Sequence, residues 1–202
     1  MFIVGITGGS GSGKTTVAEK LRMHYGAERA VILSQDSYYR DHSHLPPEKR
    51  QEGNFDEPAA VELSLLVEHL DALRAGHAIE EPCYDFATHT RQGRRTVPPH
   101  DLVLIDGLFV LTDDGVRQRL DLKVFVDAPE ADRVRRRVER DVRERGRTAE
   151  EVMERLEESV LPMHRQHVEP GRYLADLVLD GAGVIGNEVA RVIGEIDSRA
   201  GG

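Results

Sequence analysis

The stretch Gly8-Gly9-Ser10-Gly11-Ser12-Gly13-Lys14-Thr15, which follows the apolar run Phe2-Ile3-Val4-Gly5-Ile6-Thr7, decides the fold of this 202-residue chain. It satisfies the pattern G-x-x-x-x-G-K-[ST], in which glycines let backbone N–H groups turn inward around phosphate oxygens. The apolar run is short and rich in β-branched residues, which is typical of a strand, and residues 14–22 indicate a helix that stops near Gly26. The loop therefore lies between a predicted strand and a predicted helix, where the helix N-terminus assists anion binding.

We expect residues 8–15 and Thr16 to bind the phosphates of a nucleotide, ATP or GTP. Lys14 would reach the β and γ phosphates as a catalytic residue, and the Thr15 hydroxyl would be a ligand of Mg²⁺. The alternative, a glycine-rich turn with an incidental lysine, is disfavoured by the flanking strand and helix. A phosphate loop also occurs in switch GTPases and motor ATPases, so the loop alone does not identify the reaction.

The rest of the chain predicts a single α/β domain over residues 1–202, with a P-loop NTPase-type open parallel sheet flanked by helices. Further strands are predicted at residues 30–33, 102–105, 122–126 and 177–179, and helices at residues 63–73, 130–144, 149–167 and 187–196. Residues 78–92 indicate a small hairpin insertion, and residues 140–150 an arginine-rich lid. The polar residues 38–58, with proline and glycine breakers, predict a surface segment with at most a short helix.

Composition narrows the class of partner. A formal net charge of -9 disfavours a nucleic-acid-binding protein and favours a small-molecule partner. No apolar stretch approaches 18 residues, so no membrane association is expected. Cys83 is the single cysteine, which excludes an internal disulfide and indicates a cytoplasmic protein. We expect Cys83 to be a small buried residue rather than a reactive thiol.

Two aspartates follow predicted parallel strands. Ligands of open α/β sheets bind beyond the carboxyl ends of the strands, so Asp36 and Asp106 are expected at the site. Asp36 is the candidate catalytic base that accepts a hydroxyl proton from an alcohol, and Asp106 the candidate magnesium ligand. The alternative for either residue is a helix or turn cap.

Residues 133–147 contain eight arginines against three acidic residues. At 100° per residue the arginines and the valines of this helix fall on opposite faces. The face with Arg133, Arg136, Arg137 and Arg140 is opposite the face with Val134, Val138 and Val142. We expect the valines to pack and most arginines to form a solvated face, while Arg145-Gly146-Arg147 breaks the helix and folds over the phosphates as a lid.

Several stretches together resemble the uridine/cytidine kinase family of nucleoside kinases, in the family order and over nearly the whole chain. They are residues 8–16, 35–39 (Gln-Asp-Ser-Tyr-Tyr), 53–58 (Gly-Asn-Phe-Asp-Glu-Pro), 84–86 (Tyr-Asp-Phe) with His89 and Arg91, 105–107 (Ile-Asp-Gly), 136–147, 161–164 and 168–170.

The resemblance implies a role for each matching position. Asp36 is then the base for the 5′-hydroxyl of uridine or cytidine, and Asp56 holds the ribose hydroxyls with help from Arg137 and Arg140. Tyr84 and His89 would recognise the base, with Phe55 and Phe86 as the walls on either side of it. The lid residues Arg145 and Arg147 would contact the triphosphate or the base. From the residues alone, a solvated loop histidine is favoured for His89.

The resemblance also implies pyrimidine salvage, ATP or GTP as donor, Mg²⁺ and a homotetramer. Many members carry glutamate where this chain has Asp106, one methylene shorter, so both direct coordination of Mg²⁺ by Asp106 and coordination through water stay open. Two alternatives stay open. A kinase for another alcohol, such as a sugar phosphate or pantothenate, is disfavoured by Asp56, Tyr84 and His89. A non-enzymatic nucleotide-binding switch is disfavoured by Asp36, since a switch needs no base.

Overall fold

The computed structural model describes residues 1–50 and 54–201, except for the side chain at position 145. Its helices and strands follow one another as β1 (Phe2–Thr7), α1 (Lys14–Tyr25), β2 (Ala30–Ser34), α2 (Leu63–Arg74), β3 (Ile79–Asp85), β4 (Thr90–Val97), β5 (Leu102–Asp106), α3 (Asp114–Arg117), β6 (Leu122–Asp127), α4 (Glu130–Arg145), α5 (Ala149–Arg155), α6 (Leu161–Met163), β7 (Leu177–Asp180) and α7 (Ile185–Ala200).

Five strands form the central sheet in the order β2-β5-β1-β6-β7, and the pairs are all parallel. Each of these strands is a short aliphatic run, as expected where helices cover both faces of a parallel sheet. One face packs against α1 and α7, and the other packs against α2 and residues 108–111. The predicted α/β fold with an open parallel sheet is confirmed.

The register of the sheet sets the position of the functional residues. Asp106 at the end of β5 lies beside Ile6 of β1 and Ser34 of β2, and Thr7 lies beside Phe125 of β6. These strands therefore end along one edge. The loop after β1 and the residues after β2 consequently meet at this edge, where ligands of such sheets bind.

The antiparallel hairpin of β3 and β4 is longer than predicted. It runs from Ile79 to Val97, beyond residues 78–92, because Glu81 and Arg95 pair across the two strands and Val97 is buried. Cys83 on this hairpin is exposed, contrary to its expected burial, since it lies on the outward side of β3. Within the described residues, no helix combines the length and the apolar character that crossing a membrane requires.

The segment over residues 38–58 differs from the predicted polar surface segment. Tyr38, Tyr39, Phe55 and Asp56 are buried, although within the described part of the segment the one complete helical element is a short 3₁₀ turn at Pro47–Lys49. The Tyr39 hydroxyl donates a hydrogen bond to the carbonyl oxygen of Phe55 at 2.9 Å. The ends of the segment are thereby held together, and Gly53, which belongs to the 53–58 motif, lies outside the described residues.

The helix predicted at residues 149–167 is irregular. After α5 come a π-helical turn (Leu156–Val160), α6, a second π-helical turn (His164–Val168) and a 3₁₀ segment (Glu169–Leu174). Thr148 begins this succession with a capping box, in which its hydroxyl accepts from the Glu151 N–H and the Glu151 carboxylate accepts from the Thr148 N–H. π-helical turns are rare in proteins, and those that occur are frequently found at functional sites.

Candidate active site

The loop over residues 8–13 adopts backbone conformations that favour glycine. Gly11 has φ of 80° and Gly13, which precedes α1, has φ of 101°. A methyl group on Gly11 would overlap the carbonyl oxygen of Arg133, so α4 packs directly on the outside of the loop. The loop is therefore held in shape from behind, and its inner side is left for phosphate oxygens.

Thr15 and Asp106 meet at the base of the loop. The Thr15 hydroxyl donates to Oδ2 of Asp106 at 2.6 Å. Oδ1 of Asp106 is buried and has no hydrogen-bond partner among the described residues. The Thr15 oxygen retains lone pairs while its hydrogen is donated. Two oxygens are thus available for a hard cation, and these residues fit Mg²⁺.

Asp36 lies in a 3₁₀ turn (Gln35–Tyr38) directly after β2. Gln35 fixes this turn, because its Oε1 accepts from the Phe109 N–H at 2.8 Å and its side chain packs so closely on Gly107 that a methyl group there would overlap it. Asp36 is half-buried and lines the same pocket as Lys14. The structure thus brings Asp36 and the loop together, as the common edge of parallel strands predicts, and the catalytic role of Asp36 stays a prediction.

Two adjoining pockets share Lys14 and Arg140. The outer pocket is lined by Gly11, Gly13, Lys14, Thr15, Thr16, Arg136 and Arg140. The inner pocket is lined by Ser10, Lys14, Asp36, Tyr39, Phe55, Asp56, Phe86, His89, Leu108, Arg137, Arg140, Arg147 and Arg155. A larger cavity of about 640 Å³ at the ends of β6 and β7 contains none of Lys14, Asp36 and Asp106, so we place the chemistry at the two smaller pockets.

Aromatic side chains close one end of the inner pocket. The rings of Phe55 and His89 are stacked, with centroids 4.4 Å apart and planes inclined by 24°. Tyr84 does not line the pocket, but its hydroxyl lies 3.5 Å from Nδ1 of His89. The backbone of His89 has a φ of 54°. A positive φ is uncommon for residues other than glycine, and residues in such conformations are often found at functional sites.

Burial lowers the pKa of His89, and the nearby Arg155 lowers it further. The imidazole is therefore neutral at pH 7 and offers one donor and one acceptor nitrogen. His89 is half-buried in the described structure, so the solvated loop histidine favoured by the residues alone is wrong.

Asp56 also lines this pocket and is buried, with 8% of its surface exposed. Oδ2 accepts a hydrogen bond from the Ser159 hydroxyl at 2.6 Å and lies 3.8 Å from Nε of Arg155. Arg155 also lies over the Phe55 ring, 5.9 Å from its centroid. The helical residues after the lid therefore contribute to the pocket, which the sequence did not reveal.

The arginine face of α4 points inward, so the expectation of a solvated basic face is wrong. Arg133 and Arg137 are buried. Of the valines expected to pack, Val134 and Val138 do so against Val152, Leu156 and Val160, whereas Val142 is 44% exposed. Arg136 donates to the carbonyl oxygens of Gly11 and Gly181, at 3.3 and 2.9 Å. The outside of the phosphate loop presents carbonyl groups that need donors, and the arginines supply them.

Asp141 anchors the arginines at the end of α4, and its side chain is fully buried. Oδ1 accepts from both Nε and Nη2 of Arg140 at 2.9 and 2.8 Å, and Oδ2 accepts from Nη1 of Arg147 at 3.2 Å. Arg137 Nε lies 3.8 Å from the same carboxylate. The helix ends at Arg145, whose side chain lies outside the described residues, and Gly146 follows in a left-handed conformation with φ of 63°.

The structure shows how two further residues, Tyr39 and Arg91, lie relative to the pocket. Tyr39 lines the inner pocket, and the sequence assigned it no role. Arg91, which matched a family position, pairs with Glu62 at 2.8 Å and donates to the Tyr38 and Tyr39 carbonyl oxygens at 3.1 and 3.0 Å. Arg91 therefore stabilises the chain around the pocket.

The parallel sheet, the phosphate loop and the two pockets that share Lys14 define a P-loop phosphotransferase. The sequence matches the Phosphoribulokinase / Uridine kinase family over residues 3–185. This chain belongs to that family. It is 43% identical to a uridine kinase of Halalkalibacterium halodurans over 183 residues, which are 90% of this chain and 87% of that one. It is also 43% identical to a uridine kinase of Geobacillus sp. (strain WCH70) over 182 residues, covering 90% and 86% of the two chains.

Solved structures share the fold. A phosphoribulokinase from Rhodobacter spheroides superposes with a TM-score of 0.65 at 16% identity and covers 90% of this chain and 72% of that chain. A D-glycerate 3-kinase from Cryptococcus neoformans superposes with a TM-score of 0.58 at 18% identity, covering 84% and 80%.

Proposed function

We propose that this chain is a pyrimidine nucleoside kinase that transfers the γ-phosphoryl group of ATP or GTP to the 5′-hydroxyl of uridine or cytidine, forming UMP or CMP in pyrimidine salvage. One observation carries the proposal. The inner pocket joins Lys14 of the phosphate loop to Asp36 and to the buried Asp56. Uridine kinase relatives at 43% identity support this acceptor over a sugar phosphate or pantothenate.

The donor occupies the outer pocket, and the acceptor occupies the inner one. Lys14, which lines both, neutralises charge on the transferred group. Asp36 takes the proton of the 5′-hydroxyl as the bond from O5′ to the γ-phosphorus forms and the bond to the β,γ-bridging oxygen breaks. Thr15 and Asp106 would hold Mg²⁺, which supplies positive charge to the phosphates when bound.

The inner pocket also recognises the nucleoside. Asp56 accepts hydrogen bonds from the ribose hydroxyls, assisted by Arg137 and Arg140. The base enters between Phe55 and Phe86, where neutral His89, held by Tyr84, meets its polar edge. The pocket volume of about 80 Å³ is below that of typical ligand pockets, so binding of a nucleoside requires the side chains that line the pocket to move apart.

The lid and the assembly belong to the same proposal. Arg145 and Arg147 contact the triphosphate or the base from the end of α4, and Arg147 already lines the inner pocket. A cytoplasmic homotetramer is proposed from family analogy, and sedimentation of the purified protein measures its subunit number.

The reaction is tested with Asp36→Asn and a panel of uridine, cytidine, pantothenate and ribulose 5-phosphate. We expect wild-type turnover with the two nucleosides and, for Asp36→Asn, a kcat lower by roughly 10²–10⁴-fold with little change in KM. Asp114→Asn alters an exposed carboxylate that lines neither pocket and serves as the control. Turnover confined to the other two alcohols would refute the nucleoside assignment, and an undiminished kcat for Asp36→Asn would refute the base.

A further inference from the structure

Ser159 lies in the π-helical turn Leu156–Val160 and contacts a residue that is 103 positions away in the chain. Its Oγ is 2.6 Å from Oδ2 of Asp56 and 3.4 Å from the carbonyl oxygen of Arg155. A hydroxyl group has one hydrogen to donate, and 2.6 Å is the length of a charge-assisted O–H···O⁻ bond. The hydrogen of Ser159 is therefore committed to Asp56.

The two oxygens of Asp56 are consequently different. Oδ2 is held by Ser159 and lies near Arg155, whereas Oδ1 has no hydrogen-bond partner among the described residues. The main chain of Asp56 is fixed as well, because its N–H donates to Oδ1 of Asn54 at 3.0 Å. With both the main chain and Oδ2 fixed, the free oxygen points in a defined direction.

We propose that Ser159 is a positioning residue for nucleoside recognition, which holds Asp56 by Oδ2 so that Oδ1 meets a ribose hydroxyl. This inference rests on the role of Asp56 in the proposed function. Ser159 itself does not touch the nucleoside. Its effect is confined to substrates that carry ribose hydroxyls, because the 5′-hydroxyl and the base are handled by other residues.

A purely structural role for Ser159 makes a different prediction. If Ser159 only stabilised the helical turn, its loss would affect every nucleoside alike. Three variants separate the two roles: Ser159→Ala removes the hydroxyl, Ser159→Thr retains it, and Glu158→Ala alters an exposed neighbour in the same turn.

The experiment measures kcat/KM of each variant with uridine and with 2′,3′-dideoxyuridine, which keeps the 5′-hydroxyl but lacks both ribose hydroxyls. For Ser159→Ala we expect kcat/KM with uridine to fall on the order of tenfold, mainly through KM, since a hydrogen bond to a charged group is lost. With 2′,3′-dideoxyuridine, kcat/KM of Ser159→Ala should be unchanged. The preference for uridine then falls by the same factor, while Ser159→Thr and Glu158→Ala retain the wild-type preference.

Asp56→Asn, measured beside these variants, separates the two proposals. A strong loss of the uridine preference in Asp56→Asn together with wild-type behaviour of Ser159→Ala would overturn the role of Ser159 alone. An equal fall with both substrates in Ser159→Ala would also overturn it. An unchanged preference in Asp56→Asn would overturn the ribose role of Asp56, and the role of Ser159 with it.

Discussion

Replacing Asp141 by Asn tests whether one buried carboxylate organises the arginines above the phosphate loop. The substitution keeps the size of the side chain and removes its negative charge beside Arg137, Arg140 and Arg147. Breaking a buried ion pair by removing one partner costs roughly 3–5 kcal/mol. Since Asn retains one oxygen acceptor, we expect the lower end of that range, about 3 kcal/mol of unfolding free energy.

The assay is thermal and urea-induced unfolding of the wild type and the variant. For a chain of this length each kcal/mol lowers the melting temperature by roughly 2–4 °C, so a decrease of about 6–12 °C is expected. Glu139→Gln is the matched control on the same helix. Glu139 forms an exposed ion pair with Arg135 at 3.0 Å, and such pairs contribute about 0–1 kcal/mol.

Kinetics add a second test of the same substitution. Arg137 and Arg140 line the inner pocket, so their loosened positions should raise KM for uridine in Asp141→Asn but not in Glu139→Gln. A melting temperature of Asp141→Asn no lower than that of Glu139→Gln would refute the anchoring role. Unchanged KM values in a destabilised variant would restrict Asp141 to stability.

Three further outcomes are expected. Because the pKa of His89 is lowered, KM for uridine should stay constant from pH 8 to about 6.5, the ordinary pKa of histidine. KM should rise only in more acidic buffer, where the ring becomes charged. A rise in KM already between pH 8 and 7 contradicts this prediction. Gly11→Ala strains a backbone at φ of 80° and overlaps Arg133, so ATP affinity measured by calorimetry should fall at least tenfold; wild-type affinity would contradict the packing. Thr15→Val removes the hydroxyl at Asp106, so the free Mg²⁺ for half-maximal activity should rise about tenfold or more; an unchanged Mg²⁺ requirement would remove Thr15 from the metal site.

The fold was predictable because its signals are local. The phosphate loop is contiguous, and the strands are short aliphatic runs whose character does not depend on distant residues. The placement of Asp36 and Asp106 followed from one topological fact, that parallel strands end at a common edge. The end of the hairpin at Val97 was not predicted, because the pairing of Glu81 with Arg95 is visible only once the two strands face each other.

The arginine helix shows what periodicity cannot supply. A 3.6-residue period correctly grouped Arg133 with Arg137, but it does not show that the arginine face is covered as well as the valine face. The packing of the arginine face depended on the carbonyl groups of Gly11 and Gly181, which belong to distant parts of the chain. The contact between Ser159 and Asp56 was unpredictable for the same reason, since no sequence pattern links residues so far apart.

The π-helical turn Leu156–Val160 has a consequence for sequence length. A π-helical turn accommodates an additional residue relative to an α-helical turn, so deleting one residue from Leu156–Val160 would allow regular α-helix to form there. Because the additional residue is the one removed, the residues beyond the deletion would keep nearly their orientation relative to α5. A one-residue deletion within regular helix, such as α5, would instead rotate them by about 100°, because each α-helical residue turns by that angle. The π-helical turn is therefore the place in this helical succession where a one-residue change in length disturbs the pocket least.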